Sequence, residues 1–257
     1  MKKYITLCLC LCLALPFFAA DKPAKPAPKA AEASPDEGGG GSEGGADTFK
    51  WVRIKYLGTG IGMGGAHDRW DSALDNDLMF LKQLAKYTTV KPEMKVNVAT
   101  LEKIDEIAKF PVLFMHCETA VRFTDIEVKN MKEYVNRGGF IFADDCVLNE
   151  GGGKDLFFQG FKKTIEEKVF PGKKMVLLPI EHEIFHTFFD LPKGLPYLQG
   201  PPNGAWGLSD DKGRLMMIAM STDLHCGWDS EAKYFGEKKL LEAYQMGINI
   251  VIYALTH

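Results

Sequence analysis

Residues 110–145, FPVLFMHCETAVRFTDIEVKNMKEYVNRGGFIFADD, decide the fold. Residues 110–115 are an unbroken apolar run, which is typical of a strand buried on both faces of a sheet. Thr124 and Glu127 have the spacing of a capping box, which predicts a helix that begins there and ends before a Gly-Gly pair. Residues 140–143 are a second apolar run. Strand, helix and strand in this order predict two parallel strands of one sheet.

The same alternation continues on both sides of this segment. Predicted strands cover residues 49–57, 96–99, 174–178 and 214–220, and predicted helices cover residues 72–87, 101–109, 155–169 and 237–255. This pattern predicts an α/β fold with a mostly parallel central sheet and helices on both faces. Ligands of such sheets bind where the parallel strands end, and we call this edge the carboxyl edge.

The N-terminal region differs in composition from the rest of the chain. Residues 1–20 combine two early lysines, an apolar stretch of signal-peptide length and a small Ala-Ala pair, which predicts a cleaved signal peptide. We therefore expect export to the periplasm or the extracellular space. Residues 21–47, rich in Pro, Ala and Lys and then in Gly, predict a disordered linker. Residues 48–257 form the predicted α/β domain, with no membrane span after signal cleavage.

The charge of the chain argues against two classes of partner. The 257 residues carry a formal net charge of −3, and Lys and Arg form no basic run. Because nucleic acids and anionic membranes attract clustered positive charge, neither is an expected partner. A small polar ligand or a protein of the cell envelope is expected instead.

Polar and sulfur-containing side chains follow the predicted strands. They are His116 and Cys117; Asp144, Asp145 and Cys146; His182 and His186; and Asp223, His225 and Cys226. Because parallel strands end at one edge, we expect these side chains at the carboxyl edge. Their nitrogen, oxygen and sulfur donors suit a divalent metal, with zinc as the expected ion and His182, His186 and His225 as the expected ligands.

Several of these residues have more than one interpretation. Asp144 and Asp145, with His182, can act as catalytic acids or bases, or one of the carboxylates can cap the backbone of the next loop. Cys117 follows a buried strand as a catalytic nucleophile does, but it lacks the small neighbours of a sharp elbow. A disulfide between Cys117 and Cys146, across neighbouring strands, is another interpretation.

Two short motifs match functional patterns only in part. Residues 182–186 have the H-E-x-x-H spacing of zinc proteases, but the segment has room for only about two helical turns. Residues 60–65 satisfy G-x-G-x-x-G without the acidic residue that a dinucleotide site needs after the second strand. We expect Gly62, Gly64 and Gly65 to line a ligand pocket with their backbone N–H groups, although a simple connection is an equal alternative.

Aromatic and polar side chains complete the expected ligand-binding set. Trp206 and Trp228 lie in predicted loops near the carboxyl edge, where an indole can stack on a sugar or anchor a loop in the core. With Trp228, His116 and Cys117 are expected to contact the ligand.

Nearly all of residues 49–256 resemble one bacterial family. The resemblance is carried by Tyr134-Val-x-x-Gly-Gly-Phe-x-x-Ala-Asp-Asp145, Val169-Phe-Pro171, His182-x-Ile-Phe-His186 and Gly247-Ile-Asn-x-x-x-Tyr-Ala-Leu255. These motifs resemble domain of unknown function 4159, which is grouped with class I glutamine amidotransferase-like folds close to ThuA-like proteins. The resemblance implies a flavodoxin-like three-layer fold. It implies no glutaminase activity, because the Gly-x-Cys-x-Gly elbow and the His-x-Glu pair of active amidotransferases are missing.

Two functions stay open at this point. The first is an exported cell-envelope domain that binds a small polar ligand or a protein partner at the carboxyl edge. The second is a hydrolase-type enzyme that uses Asp144 or Asp145, with or without a metal held by His182 and His186. Convergence of Asp145, His182 and His116 in one pocket would favour the enzyme, and separate backbone contacts would favour the binding domain.

Overall fold

The computed structural model describes residues 48–57, 70–117, 119–147, 154–229 and 235–257. The predicted signal peptide and linker lie outside these residues, as do Gly62, Gly64, Gly65 and the side chain of Cys117. Within the described ranges, no helix combines the length and the apolar character that crossing a membrane requires.

One sheet forms the centre of the described region. Its strands are β1 (Val52–Lys55), β2 (Asn97–Thr100), β3 (Val112–Cys117), β4 (Phe140–Asp145), β5 (Val176–Leu177), β6 (Trp206–Ser209) and β7 (Leu215–Met220). They lie in the order β2-β1-β3-β4-β7-β6-β5, and the first five pair in parallel. With β7 as the fifth parallel strand, this is the 2-1-3-4-5 order of flavodoxin-like folds. The predicted α/β fold is therefore confirmed.

Helices cover both faces of this sheet and complete three layers. They are α1 (Leu74–Tyr87), α2 (Ile104–Ile107), α3 (Asp125–Asn136), α4 (Leu156–Thr164) and α5 (Glu237–Thr256). Apolar residues of α1 and α5 form a core against one face. Apolar residues of α2, α3 and α4 form a second core against the other face.

Local sequence explains how the central strand–helix–strand unit is positioned. The predicted capping box is present, since Thr124 Oγ1 accepts from the backbone N–H of Glu127 and the Glu127 carboxylate accepts from the backbone N–H of Thr124. The Tyr134 hydroxyl donates to the carbonyl oxygen of Phe110, and its ring covers Gly139. A Cβ at Gly139 would lie 2.2 Å from the ring, so this position needs glycine for the close approach.

The edge of the sheet differs from the sequence expectation. β6 was absent from the predicted strands; it runs antiparallel to β7, and it includes Gly207. Its four residues, WGLS, lack the alternation and the β-branched residues that identify a strand, so packing between β7 and β5 selects this conformation. The strand predicted over residues 174–178 is reduced to Val176–Leu177.

Alternation along β4 decides which face each acidic residue meets. Phe142 belongs to the core with α1 and α5, and Ala143 belongs to the core with α3 and α4. Consecutive side chains of a strand point to opposite faces. Asp144 therefore points to the same face as Phe142, and Asp145 points to the same face as Ala143. The two neighbouring carboxyl groups therefore lie in different surroundings.

Candidate functional site

A buried ion pair lies on the α1 face of the sheet. Arg53 of β1 donates from Nη2 to Asp77 Oδ1 at 2.7 Å and from Nε to Asp77 Oδ2 at 3.1 Å. Arg53 Nη1 also donates to the carbonyl oxygen of Trp70 at 2.9 Å. Burial opposes ionisation of Asp77, but the charge of Arg53 and the hydrogen bond with His225 outweigh it and lower the pKa of Asp77 to about 2. Asp77 is therefore ionised and holds Arg53 in place.

His225 connects this ion pair to the end of β4. Its Nε2 lies 2.9 Å from Asp77 Oδ1 and 2.9 Å from Arg53 Nη2, and its backbone N–H donates to Asp144 Oδ2 at 2.8 Å. Burial, with the charges of His116 and Arg53, lowers the pKa of His225 to about 3. The ring is therefore neutral near pH 7, and its Nδ1 has no hydrogen-bond partner among the described residues.

Asp144 is the acidic residue closest in character to a catalytic acid or base. Its Oδ2 lies 3.8 Å from His116 Nδ1, and the rings of His116 and His225 are 4.1 Å apart. Burial raises the pKa of Asp144 to about 7, and the backbone N–H of His225 offsets only part of this effect. A group with a pKa near neutrality can both donate and accept a proton.

Asp145 has a structural contact on the opposite face. Its Oδ2 accepts from the backbone N–H of Phe158 at 2.8 Å, in the first turn of α4. This carboxyl therefore supplies a cap to a helix whose preceding residue, Asp155, makes no side-chain capping bond. Burial, opposed in part by this hydrogen bond, raises the pKa of Asp145 well above its usual value.

A third carboxyl lies between two thiols at the carboxyl edge. Cys146 follows β4, and Asp223 and Cys226 follow β7; one ligand atom from each lies within 4.8 Å of the other two. The side-chain amide of Gln199 donates to Asp223 Oδ2. Burial and the charge of Asp144 raise the pKa of Asp223 to about 7.

The two thiols are in contact and form no disulfide bond in this structure. Cys146 Sγ and Cys226 Sγ are 3.6 Å apart, too far for a disulfide bond. The contact with Cys146 lowers the pKa of Cys226, but burial and the neighbouring Asp223 carboxyl outweigh it, so the net shift is upward. The predicted pairing of Cys146 with Cys117 depends on a side chain outside the described residues.

The structure brings some of the predicted residues together and separates others. His116, Asp144 and His225 share one face of the sheet, whereas Asp145 contacts α4 on the other face. His182 lies near Tyr253, whose hydroxyl accepts from the backbone N–H of the first residue of β7. That position is at the amino end of the strand, so Asp145, His182 and His116 do not converge.

The H-E-x-x-H segment adopts a turn rather than a helix long enough for a metal site. Only Glu183–Phe185 are helical, in a 3-10 turn, and His182 Nδ1 accepts from the backbone N–H of Ile184 at 3.2 Å. His186 lies 2.6 Å from Asp190 Oδ1 and 2.8 Å from the carbonyl oxygen of Ile180. Because these contacts are local, the predicted ligand set of His182, His186 and His225 does not assemble.

Trp228 is a core residue in this structure. Its ring stacks on Phe80 at 4.3 Å, and its indole N–H donates to the carbonyl oxygen of Ala243. The side chain is fully buried, so it offers no face to a ligand and has the core-anchoring role that was the alternative interpretation.

Sequence reasoning missed Arg53 and Asp77. Arg53 lies two residues after Trp51, so in an extended segment both side chains point to the same face of the sheet. Because Trp51 is a core residue, this spacing predicts that the cation of Arg53 is buried. Asp77 precedes Leu81 and Leu84 by four and seven residues, so it lies on the apolar face of α1. A charged residue on each of two buried faces is the pattern that predicts such an ion pair.

Comparison with known proteins identifies the family of this chain. No curated protein matches the chain. The model of one family, described as domain of unknown function (DUF4159), matches residues 53–255, which span the whole described sheet except the first residue of β1. The chain therefore belongs to this family.

Proposed function

We propose that the protein is an exported cell-envelope domain that binds a small polar ligand at the carboxyl edge and has no glutaminase activity. The proposal rests on one cleft of about 250 Å³, lined by Phe158, Gln159, Lys162, Asn203 and Trp206. Pockets for drug-sized ligands usually have volumes of about 300–1,000 Å³, and the cleft is smaller than this, so a ligand no larger than a monosaccharide is proposed.

The cleft belongs to the carboxyl edge. Phe158 donates its backbone N–H to Asp145, the last residue of β4, and Trp206 pairs with Ala219 near the end of β7. Ligands of doubly wound sheets bind outside the ends of the parallel strands, and this location supports a binding role for the cleft.

The lining chemistry favours a polyhydroxylated ligand. The Trp206 ring is half-buried, with Lys162 Nζ 4.9 Å from its centre, and Asn203 Nδ2 donates to Asp155 Oδ2 at 2.6 Å. An aromatic face beside amide and ammonium groups can stack on a sugar ring and bond its hydroxyl groups.

The pKa of one thiol, that of Cys226, supports the absence of glutaminase activity at this residue. A nucleophilic cysteine needs a lowered pKa, whereas the net pKa shift of Cys226 is upward. His225, which is neighbour to Cys226 in the sequence, directs Nε2 to Asp77 and Arg53 instead of activating a thiol.

A hydrolase that uses Asp144 is the second candidate function. Asp144 Oδ1 has no hydrogen-bond partner among the described residues, while Oδ2 lies 3.8 Å from His116 Nδ1. A carboxyl group with one oxygen left without a partner and the other oxygen near an imidazole is a starting geometry for proton transfer. His182 and His186 contribute nothing to this arrangement.

The ligand proposal is tested with the exported protein and a panel of monosaccharides and polyols. We expect at least one of them to raise the melting temperature, and calorimetry to show an affinity that falls more than roughly tenfold in Trp206→Ala. Arg137→Ala is the matched control, because Arg137 lines a different cleft at the amino end of β4. Equal affinity in wild type and Trp206→Ala would contradict the proposed site.

The same panel separates binding from hydrolysis. Glycosides in the panel are followed for product release, with Asp144→Asn as the test variant. Turnover by wild type that Asp144→Asn loses would establish the hydrolase, and binding without turnover supports the binding domain.

Export and superfamily membership are parts of the proposal that need their own measurements. Residues 1–20 predict a mature protein that starts after the signal peptide, so cell fractionation and N-terminal sequencing should find the shortened chain outside the cytoplasm. The 2-1-3-4-5 order of parallel strands supports a place in the class I glutamine amidotransferase-like (ThuA-like) superfamily. An experimental structure with another strand order would contradict that placement.

A further inference from the structure

We propose that Cys146, Asp223 and Cys226 form a binding site for a divalent cation of the zinc class. This site is separate from the ligand cleft, and the proposal does not depend on the function proposed above. The three side chains come from two segments, one after β4 and one after β7, and these two strands are parallel neighbours. The sheet therefore fixes the distance between the segments.

The spacing of the thiols fits two ligands of one tetrahedral ion. Zinc lies about 2.3 Å from each thiolate sulfur, so tetrahedral geometry separates two such sulfurs by about 3.8 Å. The observed distance between Cys146 Sγ and Cys226 Sγ is 3.6 Å. A disulfide would need about 2.05 Å, and it would leave the carboxyl group of Asp223 without a role.

Asp223 provides the independent second observation. The side chain is fully buried; among the described residues its carboxyl group interacts with the thiols of Cys146 and Cys226, and no nitrogen or oxygen donor bonds its Oδ1. The other oxygen, Oδ2, accepts from Gln199. A buried carboxylate with one oxygen held by Gln199, and with an oxygen within 4.8 Å of both thiol sulfurs, has the arrangement of an oriented metal ligand.

The surrounding charge also favours a cation. Asp144, Asp145 and Asp223 are all fully buried near this edge. Among the buried side chains that the structure describes, the permanent cation is Arg53, and Asp77 already neutralises it. Because ionising a buried carboxyl group is costly, a divalent ion bound here would stabilise the ionised form.

The donor set indicates the class of ion. Two soft sulfur ligands and one carboxylate oxygen suit zinc or a similar borderline-soft ion, and disfavour magnesium and calcium. On binding, the two thiols become thiolates and their protons pass to the solvent. Three protein ligands leave one tetrahedral position for water or another small ligand.

The test uses the purified protein, reduced and stripped with a chelator, and the metal alone as the probe. Cobalt(II) is added first, because a cobalt–thiolate site has a sulfur-to-metal charge-transfer absorption, and zinc is then added as a competitor. We expect one cobalt ion per chain, the thiolate absorption, and its loss when zinc displaces cobalt.

Variants assign the ligands. Cys146→Ser and Cys226→Ser should each weaken the thiolate absorption, because one of the two sulfur ligands is removed, and should each bind zinc more than roughly tenfold more weakly. Asp223→Asn keeps the shape of the side chain and tests the third ligand even if a cysteine variant fails to fold. His186→Ala is the control and should bind as wild type does, because its contacts are local.

Two results would overturn the metal site. One is cobalt binding without thiolate absorption, or with an affinity that Cys226→Ser and Asp223→Asn leave unchanged. The other is a Cys146–Cys226 disulfide, found by mass spectrometry in the chain as isolated, together with no metal uptake after reduction.

Discussion

Arg53 and Asp77 are joined by two hydrogen bonds inside the fold, and both side chains are fully buried. The pair links β1 to α1, and Nη2 of Arg53 also contacts Nε2 of His225. The position of the imidazole next to Asp144 therefore depends on an interaction that begins two strands away in the sheet.

The first prediction concerns removal of the negative partner. Asp77→Asn should lower the free energy of unfolding by about 3–5 kcal/mol, because it leaves the charge of Arg53 buried without compensation. Urea denaturation at pH 7 measures this loss. Asp75→Asn is the control, since Asp75 is exposed in the same first turn of α1. Equal losses in the two variants would show that helix charge, and not the ion pair, sets the effect.

The second prediction gives the pH dependence of the same pair. The pKa of Asp77 is about 2 in the folded chain, below its ordinary value of 3.8. A lowered pKa means that the stabilisation is complete above about pH 4 and disappears as the pH falls toward 2. The difference in unfolding free energy between wild type and Asp77→Asn should therefore shrink between pH 4 and pH 2. A difference that stays constant over this range would contradict the assigned pKa.

The third prediction separates the roles of two substitutions at Asp145. Asp145→Ala leaves the backbone N–H of Phe158 without its acceptor and should cost about 1–3 kcal/mol. Asp145→Asn keeps an acceptor oxygen and should cost less. Hydrogen exchange of the Phe158 amide should be faster in Asp145→Ala than in wild type. Unchanged exchange would show that Asp145 does not cap α4.

The fourth prediction tests the core placement of Trp228. Trp228→Ala removes a ring that contacts Trp51, Phe80 and Phe114, and it should lower stability by about 3–5 kcal/mol. Leu241→Ala, an exposed position of α5, should have little effect. A Trp228→Ala protein with the wild-type melting temperature would return this residue to the list of surface candidates.

The fifth prediction concerns the close approach of Tyr134 to Gly139. Gly139→Ala should destabilise by about 1–3 kcal/mol, because the new Cβ overlaps the ring. In a Tyr134→Ala background the same change should cost much less, so the double-mutant cycle should show coupling. Gly160→Ala is the control, with its nearest contact at 3.4 Å. Additive effects of the two substitutions would argue against the overlap.

The parallel part of the fold could be predicted because local signals agreed with it. The apolar run that becomes β3, the capping box before α3 and the glycine pair after it all indicate the same unit. β6 could not be predicted in this way. Its residues have no strand pattern, and its conformation depends on pairing with β7, which lies after it in the sequence.

The candidate site could be predicted only as far as the carboxyl edge. Position after a strand correctly placed Asp144, Cys146 and Cys226 there, because strand ends are readable from composition. The same reasoning misplaced His182. The strand before it, β5, is an edge strand that pairs antiparallel with β6, so its end does not lie at the carboxyl edge of the parallel strands. Which side chains touch depends on side-chain direction and on distant pairs such as Arg53 and Asp77, which one sequence does not fix.

The alternation at the end of β4 gives two adjacent residues, Asp144 and Asp145, different contact partners. A substitution at residue 145 changes a contact with α4, and a substitution at residue 144 changes the surroundings of His116 and His225. A substitution at residue 144 can therefore change the contacts of the two imidazole rings while the cap of α4 stays in place. A substitution at residue 145 can remove that cap while the contacts of the imidazole rings stay in place. A one-residue insertion or deletion within β4 would exchange the two environments, so this strand should tolerate replacement far better than a change of length.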